Sequence, residues 1–244
     1  MYLIQESSFH SDNPVYMKLP NVKRTMFIPE ARVAKDYFAH AFYERHFIDM
    51  ACQQLVKEDK KCIDIGAHIG WYTVELAEKC RHVYAFECSP KSFNFLCANI
   101  ALNGVDYKVT KYNCALSNKE ETVAYYVRDP KDGGSNGISQ FECDITNKTP
   151  SLEVPSKTLD SFNLNDIGFI KIDVEGHEKS VLEGAVETLK RNNYPPILFE
   201  SWSSEKESQG YPSVRLRNEL FNFIMSLGYN ITQVGNEEFV AQRK

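Results

Sequence analysis

The chain has 244 residues, 43% of them apolar and 12% aromatic, which is enough to bury one sizeable core and too apolar for a disordered chain. Its 28 basic and 33 acidic residues leave a net charge of −5, so the basic footprint that dominates affinity for nucleic acid is missing. No apolar run reaches the roughly 20 residues of a membrane span and no basic-then-apolar leader opens the sequence, so no membrane span and a cytoplasmic location are expected.

In chain order, residues 1 to about 30 read as extended segments. Val15-Tyr-Met-Lys-Leu19 and Arg24-Thr-Met-Phe-Ile28, joined through Pro20-Asn21, predict an N-terminal hairpin. From Val33 to Lys57 the residues Tyr37, Phe38, Ala41, Phe42, Phe47, Ile48 and Leu55 recur at helical spacing, predicting one or two amphipathic helices. Residues 1–58 are therefore expected to form an extension packing over the active site of a main domain, 59–244.

The main domain opens on Lys61-Cys-Ile-Asp-Ile-Gly-Ala-His-Ile-Gly-Trp-Tyr-Thr73, an apolar strand running through a glycine-bracketed turn into a helix. Such a turn is expected to present free backbone N–H groups to a ligand, from Gly66, Ala67, His68 and Gly70 toward Tyr72 and Thr73. A dinucleotide fingerprint needs glycine where His68 stands, and Asp64 would repel a pyrophosphate while attracting an ammonium or sulfonium group. S-adenosylmethionine carries both cations and no phosphate. A second strand, Arg81-His-Val-Tyr-Ala-Phe-Glu87, ends on an acid 23 residues after Asp64, close to the roughly 20 expected for a carboxylate that takes ribose hydroxyls. Cys88 and Ser89 follow it, with Ser89-Pro90 opening a helix that runs to Asn103.

Tyr107 to Asn113 is the next strand, and small residues in Cys114-Ala-Leu-Ser117 suit either a backbone lying along an adenine ring or a simple turn; the first adds Asn113 and Ala115 to the candidates. An insertion of about 119–158 contains an added strand, Glu121 to Arg128, and a glycine-rich loop, Asp132 to Ser139, with the composition either of a lid or of a disordered surface connection. Phe169 to Ile172 is a buried strand with Asp173 emerging at its carboxyl end, where ligands lie in doubly wound sheets. Glu175 and His177 follow at alternate positions and are expected to converge on the same site, ahead of a helix from Lys179 to Arg191. Pro196-Ile-Leu-Phe-Glu200 is another strand closing on a carboxylate, Val214 to Leu227 is an amphipathic helix, and Tyr229 to Val234 with Glu238 to Ala241 form an antiparallel pair.

This order predicts an α/β fold, the Rossmann-like class I methyltransferase sandwich, whose mostly parallel seven-stranded sheet has one antiparallel strand near the C-terminus. The seven cysteines are odd in number and contain no C-x-x-C pair, so they read as reduced core thiols and not as zinc ligands.

The strings Asp64 to Thr73, Ala85-Phe-Glu-Cys-Ser-Pro90, Lys157-Thr-Leu-Asp160, Phe169 to Glu178 and Pro196 to Glu200 together resemble the FkbM family of methyltransferases. The Lys-Ile-Asp-Val-Glu-Gly block is the most specific part, and His68 stands where the family more often has Asn. The resemblance implies S-adenosylmethionine-dependent methylation of hydroxyl groups on sugars or polyketide-type products, with a small-molecule or glycan acceptor and no nucleic-acid partner. Methyl transfer from a sulfonium to an alcohol needs alignment and a proton acceptor. Asp173 or His177 is expected to be that base, with Glu175 positioning the acceptor. A divalent metal between Asp173 and Glu200 is the less favoured variant, because two oxygen ligands are few. A non-catalytic S-adenosylmethionine-binding module is the rival, opposed by the complete set of Asp64, Glu87 and Asp173.

Overall fold

The computed structural model describes residues 15–18, 25–28, 44–127, 136–138 and 152–243. Its centre is a seven-stranded sheet in the order β11-β12-β10-β9-β3-β4-β5. The strands are β3 Lys61–Ile65, β4 His82–Phe86, β5 Val109–Tyr112, β9 Ile167–Ile172, β10 Ile197–Glu200, β11 Asn230–Gln233 and β12 Glu238–Gln242. The strands β5, β4, β3, β9 and β10 run parallel, and β12 is antiparallel to both of its neighbours, β10 and β11. The chain runs outward from β3 to β5, then returns to the centre at β9, so the reversal of strand order lies between β3 and β9. In such sheets the ligand crevice opens at the carboxyl ends beside that switch point.

Both faces of β3, β9 and β10 are buried, which is why these strands read as near-continuous apolar runs. Alternation sends Ile63, Ile65, Ile170, Ile172 and Phe199 to one face, against the helices α4 Glu178–Glu183, α5 Val186–Arg191 and α6 Ser213–Ser226. Cys62, Val83, Phe169 and Leu198 face the other way, into a core shared with α1 Arg45–Met50, α2 Trp71–Lys79 and α3 Pro90–Leu102. Beyond α1 the backbone makes a π turn, Ala51–Leu55, which keeps Ala51 and Leu55 in that core. The part of the predicted first helical stretch that contains Tyr37, Phe38, Ala41 and Phe42 lies outside the described residues.

The expected hairpin is present as β1 Val15–Lys18 paired antiparallel to β2 Thr25–Ile28; its Pro20-Asn21 connection is outside the described residues. The inserted strand is shorter than expected, β7 Glu121–Tyr125, and pairs antiparallel with β8 Leu152–Lys157. That strand, absent from the sequence reading, also pairs in parallel with β6 Ala115–Leu116, giving a separate three-stranded sheet. Of the glycine-rich loop only 136–138 are described, where Gly137 bridges Tyr126.

One predicted helix is two. The stretch from Lys179 to Arg191 breaks between Glu183 and Val186 because Asp160 intervenes. Its carboxylate accepts from the N–H groups of Glu187 and Thr188 at 3.1 and 2.6 Å, starting α5 afresh, and its own N–H donates to the Gly184 carbonyl. Six cysteines are free among the described residues; Cys62, Cys80 and Cys114 are buried and Cys52, Cys88 and Cys97 half-buried. No described helix is long and apolar enough to cross a membrane.

Candidate active site

Asp64 is the fourth residue of β3 and is completely buried. Its Oδ2 accepts from the Thr73 hydroxyl at 2.5 Å, so α2 is tied back to the strand that feeds it. Burial raises its pKa, opposed by the charge of Lys171 and the bond from Thr73. Its Oδ1 has no hydrogen-bond partner among the described residues.

The turn that follows uses positive φ at Gly66 (75°), His68 (51°) and Gly70 (99°). Its N–H groups are not the free row that the sequence suggested. Gly66 and Ala67 both donate to the Phe86 carbonyl, at 3.0 and 2.9 Å, and Gly70 donates to Ala67. The His68 N–H donates to Glu87 Oε2 at 2.8 Å. The turn is closed on β4 by backbone bonds, so it offers a ligand shape and carboxylates more than a nest of donors. That suits a ligand without phosphate.

Glu87 continues β4 beyond its last residue, buried, with Oε1 accepting from the Ser89 N–H at 2.7 Å. Burial pushes its carboxyl up to about 7 against the two backbone bonds that favour the ionised form. Asn113, exposed at the end of β5, donates its amide to the Glu87 and Cys88 carbonyls at 2.8 and 3.2 Å, pinning this edge. Ser89 caps α3 through Ser92. Ala115 is buried in β6.

The third strand end is β9. Lys171, absent from the sequence-derived candidates, is the register partner of Asp64 across the β3–β9 pair. Its side chain is 8% exposed, and its ammonium donates to the Gly66 carbonyl at 3.1 Å. It lies 3.3 Å from Asp173 Oδ2 and 3.9 Å from Asp64 Oδ1, and 5.0 Å from the centre of the Tyr72 ring. Asp173, with 28% of its side chain exposed, reaches the surface of this buried network. Glu44, before α1, also belongs to it and was likewise not foreseen. Burial and then the neighbouring Asp173 push its carboxyl up to about 7, with Lys171 pulling the other way.

Glu175 joins Asp173 and Glu200: each offers a carboxylate oxygen, and the three lie within 4.8 Å of one another. Burial, and then Asp173 and Glu175, hold the Glu200 carboxyl well above its ordinary range. Three oxygens at that spacing are a donor set of the type a hard cation takes, one more than the sequence had suggested. His177 goes elsewhere. Positive φ at Glu175 (56°) and Gly176 (91°) ends the strand alternation, and the ring sits in contact with the Ser117 hydroxyl, 2.9 Å from Nε2. Burial lowers its pKa to about 4. Glu178 is structural here: buried, with Oε1 accepting from the N–H groups of Val174 and Gly176, it closes the loop that presents Asp173.

The strands β4 and β9 flank β3, so Asp64, Glu87 and Asp173 lie at or near the carboxyl ends of three adjacent strands, with Lys171 between Asp64 and Asp173. Asp64 and Glu87 are the carboxylates there that could hold a ligand with cationic groups and vicinal hydroxyls.

Residues 64–231 match the Methyltransferase FkbM domain. The chain is 28% identical over 153 residues to the hexuronic acid methyltransferase AglP of Haloferax volcanii, covering 62% of this chain and 60% of that protein. It is 25% identical over 147 residues to Methyltransferase 1 of Beauveria bassiana, covering 52% and 59%. The chain therefore spans about three fifths of the length of these curated relatives. Among solved structures, methyltransferase FkbM from Methylobacillus flagellatus aligns with a TM-score of 0.52 at 18% identity, over 76% of this chain and 44% of that one. Precorrin-6y C5,15-methyltransferase from Geobacter metallireducens aligns with a TM-score of 0.50 at 12% identity, over 83% and 90%. At these identities the structural likeness shows a shared fold.

Proposed function

The chain belongs to the FkbM methyltransferase family, and from that premise we propose that it transfers the methyl group of S-adenosylmethionine to a hydroxyl of a sugar, a glycan or a related small molecule. When bound, S-adenosylmethionine supplies a methyl already activated on a sulfonium. Asp64 would attract its cationic end and Glu87 would accept from its ribose hydroxyls.

The observation that carries the reading is Asp173. It stands at the carboxyl end of β9, beside the strand-order reversal, accessible on one side and ion-paired to buried Lys171 on the other. An alcohol keeps its proton at neutral pH, so a carboxylate at that place can take the proton as the new bond forms. We assign the base to Asp173 and acceptor positioning to Glu175, and leave His177 to its contact with Ser117. The sugar class draws support from the name of the Haloferax volcanii relative.

The test is production of S-adenosylhomocysteine from S-adenosylmethionine with a panel of neutral sugars, glycosides and sugar nucleotides. Asp173→Asn should lower turnover by about 100-fold or more while leaving S-adenosylhomocysteine affinity within a few-fold; undiminished turnover removes Asp173 from the role. Excess EDTA should leave turnover unchanged if the carboxylates act on the acceptor directly. Loss of turnover reversed by Mg²⁺ would instead give the Asp173, Glu175 and Glu200 group to a cation.

A further inference from the structure

We propose that Lys171 is the positioning residue of the methyl-transfer site, one ammonium that holds the glycine turn by the Gly66 carbonyl and holds the Asp173 carboxylate at the acceptor face. The geometry is specific. Parallel register places Lys171 opposite Asp64, and β-strand alternation turns it to the face shared with Phe169. A buried lysine with no compensating charge would lose its proton. Here burial opposes the charge, but Asp173, Asp64 and Glu44 overcome it and raise the pKa above the ordinary lysine value.

Each contact has a consequence. The bond to the Gly66 carbonyl, 3.1 Å, fixes the peptide plane at the first turn residue after the cofactor strand. The ion pair to Asp173 Oδ2, 3.3 Å, restrains a side chain that is otherwise partly in solvent and leaves Oδ1 to accept a proton. A single positive charge also offsets Asp64, Asp173 and Glu44 at the place where they would repel one another. Lys171 acts through Asp173 and the turn and does not itself take the proton.

Two substitutions separate the two contacts. Lys171→Gln keeps a donor for the Gly66 carbonyl and removes the charge; Lys171→Met removes both. Three quantities are read: S-adenosylhomocysteine affinity by calorimetry, melting temperature, and kcat with KM for an acceptor found active in the screen above. For Lys171→Gln we expect affinity within about three-fold, acceptor KM within a few-fold, and kcat reduced at least about 30-fold. For Lys171→Met we expect the same loss of kcat and an affinity weakened by about ten-fold. Unreduced kcat in Lys171→Gln overturns the role at Asp173. Wild-type affinity in Lys171→Met overturns the role at the turn. Losses in both variants that merely follow the fraction of folded protein overturn both and leave Lys171 a structural residue.

The kcat arm rests on the proposed transfer reaction, whereas the binding and melting arms need no acceptor. An unmodified protein that binds S-adenosylhomocysteine yet methylates nothing in the panel therefore counts against the reaction, and the Lys171→Met affinity still decides the turn.

Discussion

A Cβ built on Gly66 would overlap the carbonyl oxygen of Asp173, and the backbone there is in the left-handed region at φ 75°. Both obstacles are backbone, and neither can withdraw, because the Asp173 N–H is committed to the Ile65 carbonyl at 3.0 Å. Gly66→Ala should therefore destabilise by about 2–4 kcal/mol, a drop of several degrees in melting temperature. An unchanged melting curve would show that the turn relaxes freely and that the close approach of β3 and β9 is not required. At this scale the placement of Glu87 and Asp173 was legible because each follows the last residue of an apolar strand, and that of Asp64 because it interrupts one two residues before the glycine turn. Lys171 lies within the Lys-Ile-Asp-Val-Glu-Gly block, and a lone charge inside a strand that is otherwise apolar needs buried partners. That need was the available signal. Glu44 offered none, since its neighbours Lys171 and Asp173 lie far along the chain and only the fold assembles them. His177 contacts Ser117 beyond Glu175 and Gly176, whose positive φ cancels the period of two past Ile172.

Between elements, β2 of the N-terminal hairpin is joined to α3 and its C-cap by side chains that imitate a strand. On α3, Asn99 accepts from the Phe27 N–H at 2.6 Å and donates to the Phe27 carbonyl at 3.0 Å, while one turn later Asn103 does the same with Thr25 at 3.1 and 2.8 Å. Asn99, completely buried, also donates to the Ile69 carbonyl inside the glycine turn at 2.8 Å. Replacing both residues by alanine leaves backbone groups of β2 unpaired, at about 1–3 kcal/mol for each buried group. Hydrogen exchange at the Thr25 and Phe27 amides should accelerate by at least ten-fold, and S-adenosylhomocysteine affinity should weaken through Ile69. Unaltered protection would mean that β2 is held by packing alone. Strand and helix periodicity made the hairpin, the sheet strands and the late antiparallel strand readable. It could not reveal the break between α4 and α5, because the cap comes from Asp160 in another part of the chain. Nor could it reveal β8, whose run Leu-Glu-Val-Pro-Ser-Lys carries a proline and little apolar character.

For the whole molecule, several carboxyl groups, among them Glu44, Glu87, Glu178 and Glu200, are raised by burial, and this sets the direction of its pH dependence. Burial raises Glu87 and Glu178 to about 7 from an ordinary value of 4.5, against the backbone bonds each accepts. A raised carboxyl binds more protons in the folded than in the unfolded chain between those two values. Its contribution is then complete below about 4.5 and is lost as pH rises through about 7. Asp166 and Glu183 are lowered by their lysine partners, so their contributions disappear in acid. The ligand-free protein should consequently melt highest near pH 5 and lose stability toward pH 8. Glu178→Gln isolates one contributor, since a carboxamide oxygen can still accept from the Val174 and Gly176 N–H groups but cannot ionise. Near pH 5 the variant and the unmodified protein should melt alike. By pH 8 the variant should be more stable by about 2 kcal/mol, below the limit that the full shift of one buried group would give. Melting curves measured from pH 5 to 8 decide it: parallel curves would show that Glu178 is already ionised in the folded chain, and that the loop presenting Asp173 closes without a proton there.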